Sequence, residues 1–235
     1  MMPPTDIPAS YGSDTAVQDR VSTFLRGVYG WMCVGLGVTA GVAFAVASNE
    51  QAVQTLTKNP ILFFGLIIAQ LGLVVFLTAR VAKLSASTAS ILFVGYSALT
   101  GVTLSLVLLA YTGESVASTF FVCGAMFGGT ALYGTVTKRS LAGVGQFAFM
   151  GLIGLLGAML VGMFWQNDTL QLVIPIIGVI VFTLLTAWDA QRLKAMALAI
   201  PEGQAGAYTV VGALSLYLNF INLFLMLLRL FGNRR

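Results

Sequence analysis

Long apolar runs alternate with short polar connections along most of this chain. Each run is close to the ~20 residues that cross a hydrocarbon core of about 30 Å at a rise of about 1.5 Å per residue. The runs cover residues 28–48, 60–78, 87–111, 116–136, 144–165, 170–189 and 208–228. This pattern predicts seven membrane-spanning helices.

The first 26 residues have a different character. They are rich in proline and aspartate, and no apolar periodicity begins before Val21. We expect residues 1–26 to form a polar, disordered tail with a short amphipathic approach, and residues 27–235 to form one membrane domain. A cleaved signal peptide is disfavoured, because the first apolar run is too long and the polar region before it too extended.

The overall composition agrees with a membrane protein. The chain is 58% hydrophobic and 9% charged, and its mean hydropathy is +0.93. These values lie far from those of a soluble domain, so the fold class is all-α and the surroundings are a lipid bilayer. The net charge of +4 is small, and its basic residues lie in short clusters between apolar runs, so we expect no nucleic-acid partner.

The distribution of basic residues predicts the orientation. Eight of them fall on the side of the N-terminus, whereas the opposite loops contain only Lys58. The eight are Arg20, Arg26, Arg80, Lys83, Lys138, Arg139, Arg192 and Lys194. Cytoplasmic loops are enriched in such residues, so the N-terminus is predicted to be cytoplasmic. Arg229, Arg234 and Arg235 argue against a full last span, and a shallow or re-entrant last helix is the alternative.

The residue types restrict the possible chemistry. Histidine is absent, which removes the usual zinc ligand and the base of Ser-His and Cys-His sites. An aspartyl intramembrane hydrolase needs two acids within the spans, and only one is found there. A retinal-binding protein would need a lysine in the last span, which has none. We therefore expect neither an enzyme nor a bound cofactor.

The acid within the spans is Asp189, in the stretch LTAWDAQRLK. An ionisable group in a span is costly to bury and by default marks a pathway or a relay. The alternative is an acid at a frayed helix end, wet by the interface and paired with Arg192. Four other acids are placed in connecting loops, namely Glu50, Glu114, Asp168 and Glu202.

Small and polar residues recur along the last run at steps of three and four, which places them on one helix face. They are Gly212, Ser215, Asn219 and Asn222. Such a helix suits the centre of a bundle, and its two amides need partners from other helices. We expect Asp189, Asn219 and Arg80 to form a polar cluster on the cytoplasmic side that closes a path through the bundle. The alternative is an interhelical clamp that only stabilises the fold.

Glycines also recur at helix-packing spacing. Gly37 and Gly41 form one such group, Gly124 and Gly128 a second, and Gly151, Gly154 and Gly157 a third. Small residues at these steps let two helix backbones approach closely. The spacing predicts contacts between neighbouring spans at all three groups.

Four stretches carry a family resemblance. They are VYGWMCVGLGVTAGVAF (28–44), YSALTGVTLS (96–105), AWDAQRL (187–193) and SLYLNFINLFLMLLRLFG (215–232). In this order they resemble the bacterial branch of the Bax inhibitor-1 family, also called the transmembrane Bax inhibitor motif family. The resemblance covers the chain after the tail. It implies a seven-helix bundle in which two groups of three helices wrap the last helix, and a pH-sensitive calcium leak.

The family pattern has two aspartates that share a proton and gate the path, one at the end of the sixth span and one in the seventh. The first matches Asp189, but the second falls on Asn219. An Asp and an Asn bind one proton between them, so we predict a blunted pH response. Calcium contact at Asp189 is predicted to be weak, because hard cations favour charged oxygens.

A second class of function stays open beside the leak. Some bacterial members of the resembled family are associated with the regulation of a membrane protease. In this alternative the chain is a non-conducting interaction protein whose partner is that protease. The presence of Asn219 in place of the second acid favours this alternative.

Overall fold

The computed structural model describes residues 9–165, 167–201 and 203–234, without the side chains of residues 9–14, 163 and 164. Eight α-helices make up most of this described part of the chain. They are α1 (Ala9–Ala47), α2 (Glu50–Lys58), α3 (Pro60–Arg80), α4 (Ala86–Ala110), α5 (Gly113–Val136), α6 (Ala142–Phe164), α7 (Asp168–Ala199) and α8 (Ala205–Phe231). All but α2 are long and apolar enough to cross a membrane. The prediction of an all-α, seven-span membrane protein is confirmed.

The first helix extends into the predicted tail. Residues 9–26 belong to α1, where the sequence predicted a disordered tail with a short amphipathic approach. Residues 1–8 lie outside the described part of the chain. Phe24, Leu25 and Val28 are buried in the core. Their spacing gives this stretch one apolar face, which packs on the bundle and so favours a continuous helix.

The sixth span is longer than its apolar run. The sequence predicted a span that ends at Asp189 and a loop from Ala190 to Ala207. Instead, α7 continues for ten residues to Ala199, which leaves residues 200–204 between α7 and α8. Leu193 and Ala197 are buried and continue the packed face beyond Asp189. Asp189 therefore lies about three turns inside the helix, and the alternative of an acid at a frayed helix end is wrong.

The acids that were placed in loops begin helices instead. Glu50, Glu114 and Asp168 lie in the first turns of α2, α5 and α7. A negative charge is favourable there, because the unpaired N–H groups give a helix N-terminus partial positive charge. Glu202 lies outside the described residues.

The last helix is the most buried of the spans, and it contacts α1, α4, α5 and α7 directly. By contrast, α3 packs mainly on α4, and α6 packs on α7. Four spans thus make most of the contacts with α8, while α3 touches it only slightly and α6 packs elsewhere. Between Val210 and Leu228 no residue of α8 is exposed, although one of its faces is only half-buried.

The ends of α8 establish its direction. Near its start, a Cβ atom added to Gly206 would lie 2.6 Å from Ala86 Cβ, at the start of α4. Beyond its end, Asn233 O accepts a hydrogen bond of 3.0 Å from Thr112 N, just after α4. The last helix therefore runs the full length of the bundle parallel to α4, and the re-entrant alternative is wrong. We call the end of the bundle that contains residues 200–204 the N-terminal end of the bundle, and the opposite end the C-terminal end of the bundle.

The predicted glycine contacts are mostly wrong. Among the seven predicted glycines only Gly151 has a neighbour, with Val181 Cγ2 3.1 Å from an added Cβ, and the others face open space. The close approaches occur at other glycines. A Cβ on Gly134 would overlap the carbonyl oxygen of Ala187, and one on Gly145 would overlap the ring of Trp188. Both contacts hold α7 against the neighbouring helices close to Asp189.

Candidate functional site

The site centres on a contact between the two most buried helices. Asp189 on α7 and Asn219 on α8 are 8% and 6% exposed. The Asn219 Nδ2 donates a hydrogen bond of 2.8 Å to Asp189 Oδ2. The structure thus brings together the two residues that the sequence placed in one cluster. A carboxylate this deep needs such a donor, because an unpaired buried charge is very costly.

Arg192 contacts the other oxygen of the carboxylate. Its Nε lies 4.0 Å from Asp189 Oδ1, and its side chain is 45% exposed. The guanidinium also lies over the Trp188 ring, 5.1 Å from the centroid. Arg192 therefore stands between the exposed surface and the buried acid. The sequence had suggested this pair only as part of a frayed helix end.

Neighbouring side chains hold α7 against α5 and α6. Gln191 Oε1 accepts a hydrogen bond of 2.8 Å from Leu141 N, and its Nε2 donates one of 2.8 Å to Arg139 O. Lys194 Nζ donates one of 3.1 Å to Thr135 O. The stretch that follows Asp189 thus fixes the connection between α5 and α6. Sequence reasoning missed this role of Gln191, although a glutamine beside an intramembrane acid was a visible signal.

Arg80 does not join the cluster. It is exposed at the end of α3, and within the described chain it forms no ion pair or hydrogen bond. The helix that carries it packs mainly on α4, while α7 packs mainly on α5, α6 and α8. The prediction of Arg80 in contact with Asp189 is wrong, because two charges at the same end of a bundle can lie on different sides of it.

The predicted polar face of α8 divides into two parts. Gly212 and Asn219 are buried, and a Cβ on Gly212 would lie 2.6 Å from Leu193 Cδ2. Ser215 and Asn222 are half-buried. The Asn222 amide donates to Leu218 O of its own helix at 2.8 Å, so the expectation of a partner from another helix is wrong for this residue.

A second buried polar group lies on the opposite side of α8, where sequence reasoning did not look. Tyr217 is fully buried, and its hydroxyl lies 2.5 Å from Thr39 Oγ1 of α1. Thr39 Oγ1 also donates to Ser97 O of α4 at 2.8 Å. The hydroxyl residues of YSALTGVTLS were the available signal. This group joins α1, α4 and α8, as Asp189 joins α7 and α8.

The arrangement can exchange one proton and can weakly attract a cation. Asp189 is the titratable member of the pair, since an amide stays neutral. No group of three or more Asp, Glu or Cys side chains that could hold a metal occurs in the described residues. Calcium at this site would have one charged side chain to contact, which is few for a hard cation.

The two amides of α8 predict different effects on stability. Asn219→Leu should lower the free energy of unfolding in detergent by about 2–3 kcal/mol, because it leaves the Asp189 carboxylate buried without its donor. Asn222→Leu should change it by less than about 1 kcal/mol, because that amide is half-buried and bonds its own helix. Thermal unfolding followed by size-exclusion chromatography measures both. Equal losses would contradict the assigned role of Asn219.

Comparison with known proteins agrees with a membrane protein. The family model described as inhibitor of apoptosis-promoting Bax1 matches residues 21–235. The inner membrane protein YbhL of Escherichia coli K12 is 50% identical over 228 residues, which cover 95% of this chain and 97% of the relative.

More distant relatives match over a similar length. A protein of Deinococcus radiodurans is 44% identical over 92% of this chain and 93% of its own. An uncharacterized membrane protein of Streptococcus pyogenes serotype M1 is 34% identical over 90% of this chain and 93% of its own. The match therefore includes both helices that carry the site.

Proposed function

The chain belongs to the Bax inhibitor-1 family, and we propose that it is a passive cation leak of the inner membrane whose path is closed by Asp189 and Asn219. The observation that carries the proposal is a buried carboxylate in a spanning helix, bonded to an amide of the most buried helix. Intramembrane carboxylates are costly and mark pathways. The transported ion that the family resemblance implies is calcium.

In this proposal Asp189 is the gate. With the carboxylate ionised, Asn219 and Arg192 hold it in place, and the contact between α7 and α8 closes the path. Protonation removes the charge that both partners bind, so the contact weakens and the two helices can separate. One titratable group gives a gentle dependence of flux on pH.

The N-terminus is cytoplasmic in this proposal. The N-terminal end of the bundle has eight Lys and Arg residues, whereas the C-terminal end has Lys58, Arg229 and Arg234 among the described residues. That excess supports a cytoplasmic N-terminal end. Asp189 then lies in the cytoplasmic half of α7, within reach of changes in cytoplasmic pH.

Flux through purified protein in liposomes tests the gate. Asp189→Asn removes the titratable group while keeping its size, so we expect calcium and monovalent cation flux to lose its dependence on pH. Asp168→Asn is the matched control, because it removes an acid of the same helix at an exposed first turn. Flux against pH that is the same in Asp189→Asn and the parent would refute the gate.

The same measurement separates the alternative. If parent and variants pass no ions in liposomes, the protein is a non-conducting interaction protein of the kind that modulates a membrane protease. Co-purification from native membranes then becomes the informative experiment. A protease recovered with the parent but not with a variant of exposed bundle residues would support that function.

A further inference from the structure

A cavity of about 780 Å³ opens at the C-terminal end of the bundle, between α3, α4, α6, α7 and α8. Most of its lining is apolar, including Leu106, Val107, Met159, Ile174 and Leu225. Arg229 and Arg234 also line it, and none of the described lining residues is acidic. It lies at the opposite end of the bundle from Asp189, so it is not part of the proposed gate.

The two arginines are available to a ligand. Both are exposed, and in the described part of the chain neither forms an ion pair within 4 Å. Glu50, Glu114 and Asp168, the acids of this end, do not line the cavity. The positive charge at the mouth of the cavity is therefore not cancelled by a direct contact.

The segment that carries Arg234 is fixed to the bundle. Asn233 N donates a hydrogen bond of 2.9 Å to Ser115 Oγ, and Asn233 O accepts one of 3.0 Å from Thr112 N. The Arg234 guanidinium lies 5.9 Å from the centroid of the buried Tyr111 ring. These contacts hold a cation at the rim of an apolar cavity, where a free tail would let it move away.

The position of the cavity indicates which class of ligand it binds. It lies where five spans begin or end, next to Trp165, which is 70% exposed. Tryptophan at a span end is typical of the level of the lipid headgroups. An apolar cavity at that depth is open to acyl chains, and two arginines at its mouth complement a phosphate. A free anion would gain nothing from the apolar walls.

We propose that this cavity binds an anionic phospholipid, whose phosphate contacts Arg229 and Arg234 and whose acyl chain packs between α4 and α7. The lipid fills the space between the two sides of the bundle at the C-terminal end. The experiment below measures lipid retention and not ion flux, so the proposal stands or fails separately from the gate.

Retention of lipid by the purified chain tests the proposal. The protein is reconstituted in nanodiscs of equal phosphatidylglycerol and phosphatidylethanolamine, extracted in mild detergent, and the retained lipids are counted by native mass spectrometry. We expect one phosphatidylglycerol per chain that is retained selectively. Replacing each arginine by glutamine should weaken its retention about fivefold, since a basic residue near the surface contributes roughly that factor.

Two further variants separate the cavity from general surface charge. Lys58→Gln removes a cation from the same end but outside the cavity, and it should leave retention unchanged. Ala110→Trp narrows the cavity with both arginines intact, and it should also release the lipid. The proposal is overturned if the double variant Arg229→Gln/Arg234→Gln retains as much phosphatidylglycerol as the parent. It is also overturned if Lys58→Gln loses as much phosphatidylglycerol as that double variant, or if inorganic phosphate displaces the lipid. Circular dichroism of each variant identifies any loss caused by unfolding, and Arg229→Lys, which keeps the charge, should then retain the lipid.

Discussion

Replacing Gly134 with alanine should destabilise the protein more than any other single-methyl change near the site. The added Cβ would overlap the backbone carbonyl of Ala187, and a backbone atom cannot rotate out of the way. The α5 and α7 helices would have to separate, which should cost about 3 kcal/mol or more of the free energy of unfolding. Because Ala187 lies two residues before Asp189, the same displacement should disturb the hydrogen bond to Asn219.

Gly128→Ala is the matched control for this prediction. It adds the same methyl group to the same helix at a position with nothing within 4 Å. We expect stability equal to the parent or up to about 1 kcal/mol higher, because alanine favours the helical backbone. Thermal unfolding in detergent and the yield of monodisperse protein measure both variants. If Gly134→Ala were as stable as Gly128→Ala, the close approach of α5 and α7 would be wrong.

Converting Asn219 to aspartate should make flux much more sensitive to pH. The amide now lies 2.8 Å from Asp189 Oδ2, so the new carboxyl would face an existing one at hydrogen-bond distance. Two carboxylates this close cannot both ionise cheaply, so they share one proton and titrate in coupled steps, whereas the Asp-Asn pair has a single titrating group. We expect the change in calcium flux across the physiological pH range to be on the order of tenfold larger than in the parent.

Asn222→Asp provides the comparison for that experiment. It introduces an acid on the same helix, one turn further on, at a half-buried position whose amide bonds Leu218 O. It should leave the pH profile close to that of the parent, because the new charge does not face Asp189. Identical pH profiles for Asn219→Asp and the parent would show that the pair does not control the path.

The pairing of Asp189 with Asn219 could be predicted because burial leaves little choice. A carboxylate and an amide in neighbouring spans each need a partner in a medium without water, and few other polar groups were available. The same logic failed for Asn222, whose amide bonds a carbonyl of its own helix. It failed for Arg80 because an exposed arginine at a helix end is satisfied by water and needs no buried partner.

The glycine contacts could not be predicted from spacing. Gly37 and Gly41 have the same separation as glycines that let helices touch, yet they face open space. Gly134 and Gly145 are the tight positions, and nothing in the local sequence distinguishes them. Spacing places residues on one face of a helix, but it does not say which face meets a neighbour.

The sequence by itself determined the number of spans and the class of fold, because crossing the hydrocarbon core requires about 20 apolar residues whatever lies beside them. It also determined which acid lies within a span. Only the tertiary structure decided that Arg192 rather than Arg80 faces Asp189, that α7 continues to Ala199, and that Arg229 and Arg234 border one cavity. These outcomes depend on which helix faces meet, and that depends on packing between segments distant in the chain.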